Sequence, residues 1–475
     1  MIKPPSIRNI LPRSLIRATE KTPLSIPQAP GALPLLGHIP QLIRDPLNFL
    51  ESLPQHGDLL RVRLGPASAV VVCDPQLTRQ VLRDDRTFDK GGLLIDRAQE
   101  VLGIGLATCS HREHRRQRRL VQPAFHSQRL RSYTPAITAQ ITTVTESWRD
   151  GQHLDVFAEM TTIAARAVAA ALFSGSISES DICRTLDDLT TIDAGIYRRM
   201  LVPPLLNRVP SPANRHYHRA RARLRRTFGG IIADRRASGT DFGDLLSALL
   251  AAHDTQGHGH GLSDTEIVDT ILALFLAGTE STASTLAYAL HLLASHPDIA
   301  EQLRAEVDAV LINGRPSGSD DVPRLELTGR VITETLRLWP PAWIATRYTT
   351  TDTRLGGYPL SPGTTVIYSP YILHHRKDDY PDPGTFDPDR WLPGHHPSHR
   401  PSALIPFSDG ARKCIGDRFA LIEATLALAT IVGNWHLEPL TGHNAHPTLG
   451  VVLTPRQLRL RATRREGRSP AREPK

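Results

Sequence analysis

Apolar residues recur at helical spacing from about Pro75 to Arg330, in segments rich in alanine, leucine and arginine. The rhythm breaks near Gly151, between Pro203 and Pro212, and between His253 and Gly261, so the region divides into several helices. Ahead of it, "LLRVRLGPASAVVVCDP" alternates with β-branched residues around Gly65-Pro66 and predicts a hairpin. After Pro340 the pattern changes to short extended runs such as "TRYTTTDTRLGGYPLSPGTTVIYSP". A helix is predicted behind Cys414 and short strands at the end of the chain. The expected fold class is α+β, mainly α-helical, with small sheets.

Two predicted helices break the apolar pattern in informative ways. "SDTEIVDTILALFLAGTESTASTLAYALHLLASHP" opens on a capping box, Ser263 with Glu266, and runs to Pro297. At about 1.5 Å per residue it spans roughly 45 Å, enough to cross a molecule of this size. Its middle holds Gly278, Thr279, Glu280, Ser281 and Thr282. A glycine and an acid inside an apolar central helix cost stability, which points to a functional groove. In "RVITETLRLWPP", Glu334 and Arg337 stand three apart on one face, and Pro340-Pro341 end the helix. Such a pair is ordinarily a surface ion pair, but apolar flanks place this one at the edge of a core.

The chain has 475 residues, 40% of them hydrophobic, so a large core is expected. No internal repeat is present. Residues 1–26 read as a mobile tail: Ile7, Ile10, Leu11, Leu15 and Ile16 with Arg8, Arg13 and Arg17 have amphipathic spacing, but Pro4, Pro5 and Pro12 oppose a helix. Residues 27–462 read as one domain and 463–475 as a basic tail. No run of about 20 apolar residues and no signal-peptide core are present, so no transmembrane anchor is expected. The four cysteines, Cys73, Cys109, Cys183 and Cys414, are scattered, which excludes a disulfide framework and a structural zinc site and fits a reducing cytoplasm. The net charge of +8 is concentrated in arginine runs at 112–119, 219–226 and beyond Arg459. No aromatic residues interleave with them, so no nucleic acid partner is expected.

Cys414 lies in "FSDGARKCIG". A thiolate is the reactive and ligating form of cysteine, and cations and helix N-terminal N–H groups favour it. Arg412 and Lys413 precede it and a predicted helix follows, so the setting suits either a nucleophile or a single thiolate on a haem iron. Gly410 permits a tight turn, Gly416 a close approach, and Phe407 shields the sulfur.

Phe407, Gly410, Arg412, Cys414 and Gly416 together resemble the haem-binding loop of the cytochrome P-450 monooxygenases. The likeness extends over most of the chain. Glu334 and Arg337 are similar to the family's ExxR helix, and Arg390 in "FDPDRW" to the arginine that completes a structural network with them. "AGTEST" resembles its oxygen-activating stretch, and "HREHRRQRRLVQPAF" the helix that carries propionate ligands.

The resemblance implies the cytochrome P-450 fold, with the long central helix over haem b and Cys414 as the metal ligand. Phe407 and Gly416 would line the cofactor, and His114, Arg118, Arg347 and Arg412 would hold its propionates. Ala277 and Gly278 would open the central helix, while Glu280 and Ser281 would deliver protons. Serine stands there where the family usually has threonine. The substrate pocket would take in Leu94, Ile95, Ala273, Leu276, Ala342, Trp343 and Ile344, an apolar set suited to a terpene or a macrocyclic polyketide. "APGALPLLGH" with "RDPLNFL" resembles actinobacterial terpene oxygenases.

No reductase segment follows the Cys414 region. The resemblance therefore implies a cytoplasmic monomer that uses O2 and receives electrons from a separate acidic ferredoxin or flavodoxin, docked where Arg112, Arg115, Arg116 and Arg119 flank Lys413 and Arg418. Alternatives on the same fold are a haem-thiolate isomerase, dehydratase or peroxide-driven enzyme; an alternative of another class is a non-catalytic haem sensor, which the Glu280–Ser281 pair opposes.

Overall fold

A computed structural model describes residues 25–201, 207, 209–253, 261–312, 315–394, 403–440 and 446–465, apart from the side chains of residues 93, 94, 197, 200 and 201. The expected N-terminal tail, up to residue 24, lies outside the described residues. The chain runs through α1 (Ile39–Arg44), α2 (Pro46–Ser52), β1 (Leu59–Leu64), β2 (Ala67–Val72), α3 (Pro75–Arg83), β3 (Phe88–Asp89), α4 (Leu93–Leu102), α5 (His111–Val121) and α6 (Ser127–Glu146). Next come β4 (Gln152–Asp155), α7 (Val156–Phe173), α8 (Glu179–Leu201), α9 (Pro212–Ser238), α10 (Leu245–Leu250), α11 (Asp264–Ser295), α12 (Pro297–Val310) and α13 (Glu326–Leu338). The last third holds β5 (Ala345–Thr349), β6 (Thr353–Leu355), β7 (Tyr358–Leu360), β8 (Thr365–Tyr368), α14 (Pro370–His374), α15 (Asp417–Asn434), β9 (Trp435–Pro439), β10 (His446–Leu449), β11 (Leu453–Arg456) and β12 (Arg459–Arg464).

The hairpin read from alternation is β1–β2, with Leu64 opposite Ala67 across the Gly65-Pro66 turn. It forms one edge of a five-stranded sheet ordered β1-β2-β8-β5-β3, in which β2 and β8 run parallel. Strand β12 joins β4 and β9 in a second sheet and runs to Arg464. Arg465 then pairs with Asp308 at 2.7 Å. The folded part thus passes the boundary expected at residue 462, because Thr463 and Arg464 pair with His436 and Trp435.

Helix α11 is the axis of the molecule. Ser263 accepts the Glu266 main-chain N–H while the Glu266 carboxylate accepts that of Ser263, so both halves of the capping box form. Residues from Thr282 to Leu290 are buried on every side, as expected of a helix through a core. Helices α7, α9, α13 and α15 pack around it. A Cβ on Gly278 would come within 2.9 Å of Val168, so the glycine lets α7 and α11 close at the centre. Both α7 and α11 are long and apolar enough to cross a bilayer by composition. They turn their apolar residues into one shared core instead, Met160, Ile163 and Phe173 meeting Ile271, Leu272 and Phe275.

Candidate functional site

The Cys414 loop is fastened from below by α3 and the segment after it. Gly410 has φ +71, and a Cβ there would lie 2.4 Å from the Leu82 carbonyl oxygen, so only glycine fits. Asp409 caps the short turn Gly410–Arg412 and pairs with Arg83 at 3.2 Å. Cys414 donates its main-chain N–H to the Phe407 carbonyl at 2.9 Å. Arg412 has no exposed side-chain surface. Its Nε, Nη1 and Nη2 reach Asp85 (3.1 Å), the Cys109 carbonyl (2.7 Å) and Asp89 (2.8 Å). Each of its nitrogens is thus engaged by protein. In this structure Arg412 ties the loop to the segment after α3, with three of its five N–H donors used.

Cys414 is exposed, yet burial still dominates its titration, as it does for a thiol on the wall of an interior cavity. Burial pushes the thiol up, against the opposing pull of the Gly416 N–H, Arg118 and Lys90. A coordinated metal ion would remove that proton outright.

Positive charge collects around the sulfur. Lys90, which the sequence reading passed over, is pushed down to about 7, first by burial and then by Arg347 and Arg412; it donates to the Ala107 carbonyl. His114 is held at about 3 by burial, Arg412, Lys90 and Arg118, and its Nδ1 is buried without a partner. Arg118 donates to the Lys413 carbonyl, and the Arg347 Nε is likewise buried and unpartnered. Among the described residues no carboxylate pairs with Lys90, Arg118 or Arg347. Buried cations without counter-ions call for anions, and a porphyrin with two carboxylates and a Cys414-bound iron meets that demand. Lys90, His114, Arg118 and Arg347 would hold the carboxylates, and Cys414 the iron. A lysine in a chain dominated by arginine was the available signal for Lys90, but its partners stand far along the sequence.

Beneath the loop, Glu334 and Arg337 are completely buried and 2.7 Å apart. Arg390 reaches Glu334 at 3.3 Å, and Trp391, unforeseen in the sequence, donates to it at 2.9 Å.

On α11, Ala277 is exposed within the fold, and Ser281 donates its hydroxyl to the Ala277 carbonyl at 2.6 Å. Thr285 donates in turn to the Ser281 carbonyl at 2.8 Å, so two successive back-bonds load this part of the helix. Thr282 points the other way. It is buried and donates to Glu423 on α15 at 3.4 Å. Burial, and then Asp193, raise Glu280 well above the usual carboxylate range.

Among the expected pocket residues, Ala342 is exposed, Ile95, Leu276 and Ile344 are partly buried, and Ala273 is buried; the Leu94 side chain lies outside the described residues. Trp343 is placed differently. It packs into a separate core with Leu50 and Leu53, and its Nε1 donates to the Gly450 carbonyl at 3.2 Å. It thereby ties the segment after α13 to the β10–β11 turn.

Residues 27–461 match the cytochrome P450 family. The chain is 46% identical to pentalenene oxygenase of Streptomyces avermitilis, over 92% of this chain and 97% of that one. It is 45% identical to cyclooctat-9-en-7-ol 5-monooxygenase of Streptomyces melanosporofaciens, over 90% and 92%. The crystal structure of the cytochrome P450DA haem domain superposes with a TM-score of 0.84 at 26% identity, covering 94% of this chain and 98% of that one. A thiol ringed by unpaired cations, a buried Glu-Arg-Arg network and these likenesses agree: the chain belongs to the cytochrome P450 family.

Proposed function

We propose that this chain is a haem-thiolate monooxygenase of secondary metabolism that inserts one oxygen atom of O2 into a C–H or C=C bond of a terpene. The observation that carries the reading is the set of uncompensated cations converging on Cys414. The substrate class rests on the Streptomyces relatives together with the apolar pocket residues. When bound, haem b supplies the oxygen and electron chemistry. The protein excludes water, orients the hydrocarbon and moves protons. The test is incubation with terpenes, a surrogate ferredoxin and reductase, NADPH and isotopically labelled O2. One labelled oxygen per product is expected; turnover only with added peroxide, or isomerisation without label, would overturn the reading.

Ser281 is the hydroxyl that works with Glu280. Ser281→Ala should leave the substrate-induced spectral shift nearly unchanged, lower product per NADPH and raise peroxide release. Thr282 offers no replacement, since its hydroxyl is committed to Glu423. Weak substrate binding with normal coupling would instead make Ser281 a pocket residue.

The electron donor is an acidic ferredoxin that docks on α5 and the Cys414 loop of a cytoplasmic monomer. A cleft of about 580 Å3 opens there, lined by His114, Arg115, Arg118, Arg119, Gln122, Gly410 and Ala411. Arg116 is not available to it, because its guanidinium is taken by Glu266, the capping-box residue of α11. Arg115 is exposed. Arg115→Glu should therefore slow reduction by an acidic ferredoxin at low salt without weakening substrate binding. Screening beyond about 8 Å at physiological ionic strength should shrink the defect. Equal reduction rates at low salt would remove this face from consideration.

A further inference from the structure

Helix α8 carries a carboxyl that none of these roles uses. Asp193 follows Ile192, a core residue, and its Oδ1 is buried without a partner. The main-chain N–H of Val451, in the turn between β10 and β11, is directed at the carboxyl. Gly450 beside it allows a tight fit: a Cβ there would lie 3.2 Å from Oδ2. Directly after that turn the hairpin is tied to α11, where Ser284 donates to the Leu453 carbonyl at 2.5 Å. Glu280 stands one turn before Ser284 on the same helix face. The hairpin therefore brings Asp193 at its tip toward the face of α11 that carries Glu280.

Among the described residues none of the neighbouring cations pairs with either carboxyl. On α8, Asp188 is paired with Arg223 of α9, and Arg199 with Glu100 of α4. Tyr217 of α9 packs against Gly195, and Glu423 of α15 meets α11 through Thr282. Burial raises both carboxyls above their usual range, and the charge of Asp193 adds to the rise at Glu280. Two carboxyls in such a setting do not both ionise at low cost.

We propose that Asp193 and Glu280 share a proton across the β10–β11 turn, with Asp193 the positioning residue that keeps the proton on Glu280. The pair carries one negative charge. When Glu280 gives up its proton the pair becomes doubly charged, and a proton taken from water restores it. Asp193 thus sets how readily the acid is recharged and how far into alkaline pH it persists. This rests on Glu280 acting as the acid, and the test separates the two claims.

Infrared spectra of the ferric holoenzyme, recorded across pH, follow the C=O stretch of protonated carboxyls. The band lost in Glu280→Gln identifies Glu280. In Asp193→Asn that band should disappear at lower pH than in the parent, because removal of a neighbouring negative charge makes the proton easier to lose. The alkaline limit of product per NADPH should move in the same direction. Gly450→Ala, which crowds Oδ2, should shift the band midpoint too, and serves if Asp193→Asn does not fold. An unchanged midpoint in the folded variant overturns the pair, as does a spectrum without any Glu280 band. A shifted band with unaltered coupling keeps the pair and removes Glu280 as the acid.

Discussion

Cys414→Ser yields protein whose reduced carbon-monoxide complex lacks the red-shifted band that a thiolate ligand confers, and which retains little haem. Serine keeps the size of the side chain and the main-chain bond to Phe407, so the loop survives while the soft anionic ligand is lost. Of the other thiols, Cys73 is buried away from the site and pushed up to about 12 by burial. Cys109 is the sharper control. It feels Arg412 and Lys90, as Cys414 feels Lys90, but its Sγ is turned to the Leu106 carbonyl at 3.9 Å. Cys109→Ser should therefore keep the band. If Cys414→Ser kept it and Cys109→Ser lost it, the ligand would have to be reassigned.

Arg337→Ala should be the most destabilising substitution outside the haem ligand. The five N–H groups of a guanidinium are all accounted for here. Nε and Nη2 bond Glu334 at 2.9 and 2.7 Å, Nη2 also reaches Thr385, and Nη1 serves the carbonyls of His374 (3.0 Å) and Pro383 (2.6 Å). Removal of the arginine takes two bonds from the buried Glu334 carboxylate, leaving it to Arg390 and Trp391, and one donor from each of three carbonyl groups. Breaking a buried pair in this way costs about 3–5 kcal/mol, against roughly 5–15 kcal/mol for a typical whole domain. A denaturant midpoint measured on the holoenzyme checks it. Arg337→Lys, with three donors and no fork, should fall between parent and alanine. A loss below about 1 kcal/mol in the alanine variant would mean that the network is dispensable.

What the sequence disclosed was local. The Ser263–Glu266 box, the β1–β2 alternation, the ExxR spacing and the glycine positions around Cys414 each fit within a few residues, where spacing and turn chemistry decide the outcome. What it withheld was partnership across the chain. Lys90 reads as a lysine in a turn until Arg347 and Arg412 are folded beside it. Arg116 reads as one more exposed charge until α5 meets Glu266, 150 positions later. Arg412 reads as a cation beside Cys414 until Asp85 and Asp89, more than 320 positions away, accept from it. Trp343 keeps its place beside the site but turns toward Leu50 and Gly450. Asp193 gave no signal, since one acid in an amphipathic helix is unremarkable until Gly450 and Val451 reach it.

The crowd of cations around Cys414 also bears on how the protein matures in a cell. Before haem arrives, Lys90 lies against Arg347 and Arg412 without a carboxylate partner among the described residues, and burial and these cations keep His114 neutral. Haem brings two negative charges and turns mutual repulsion into attraction. It then stabilises the native state by mass action, by about 1.4 kcal/mol for each tenfold rise in free haem once the site is mostly filled. The supply of cofactor during synthesis thereby governs how much of the chain escapes proteolysis, and the yield of folded enzyme becomes a measure of the haem its host can spare.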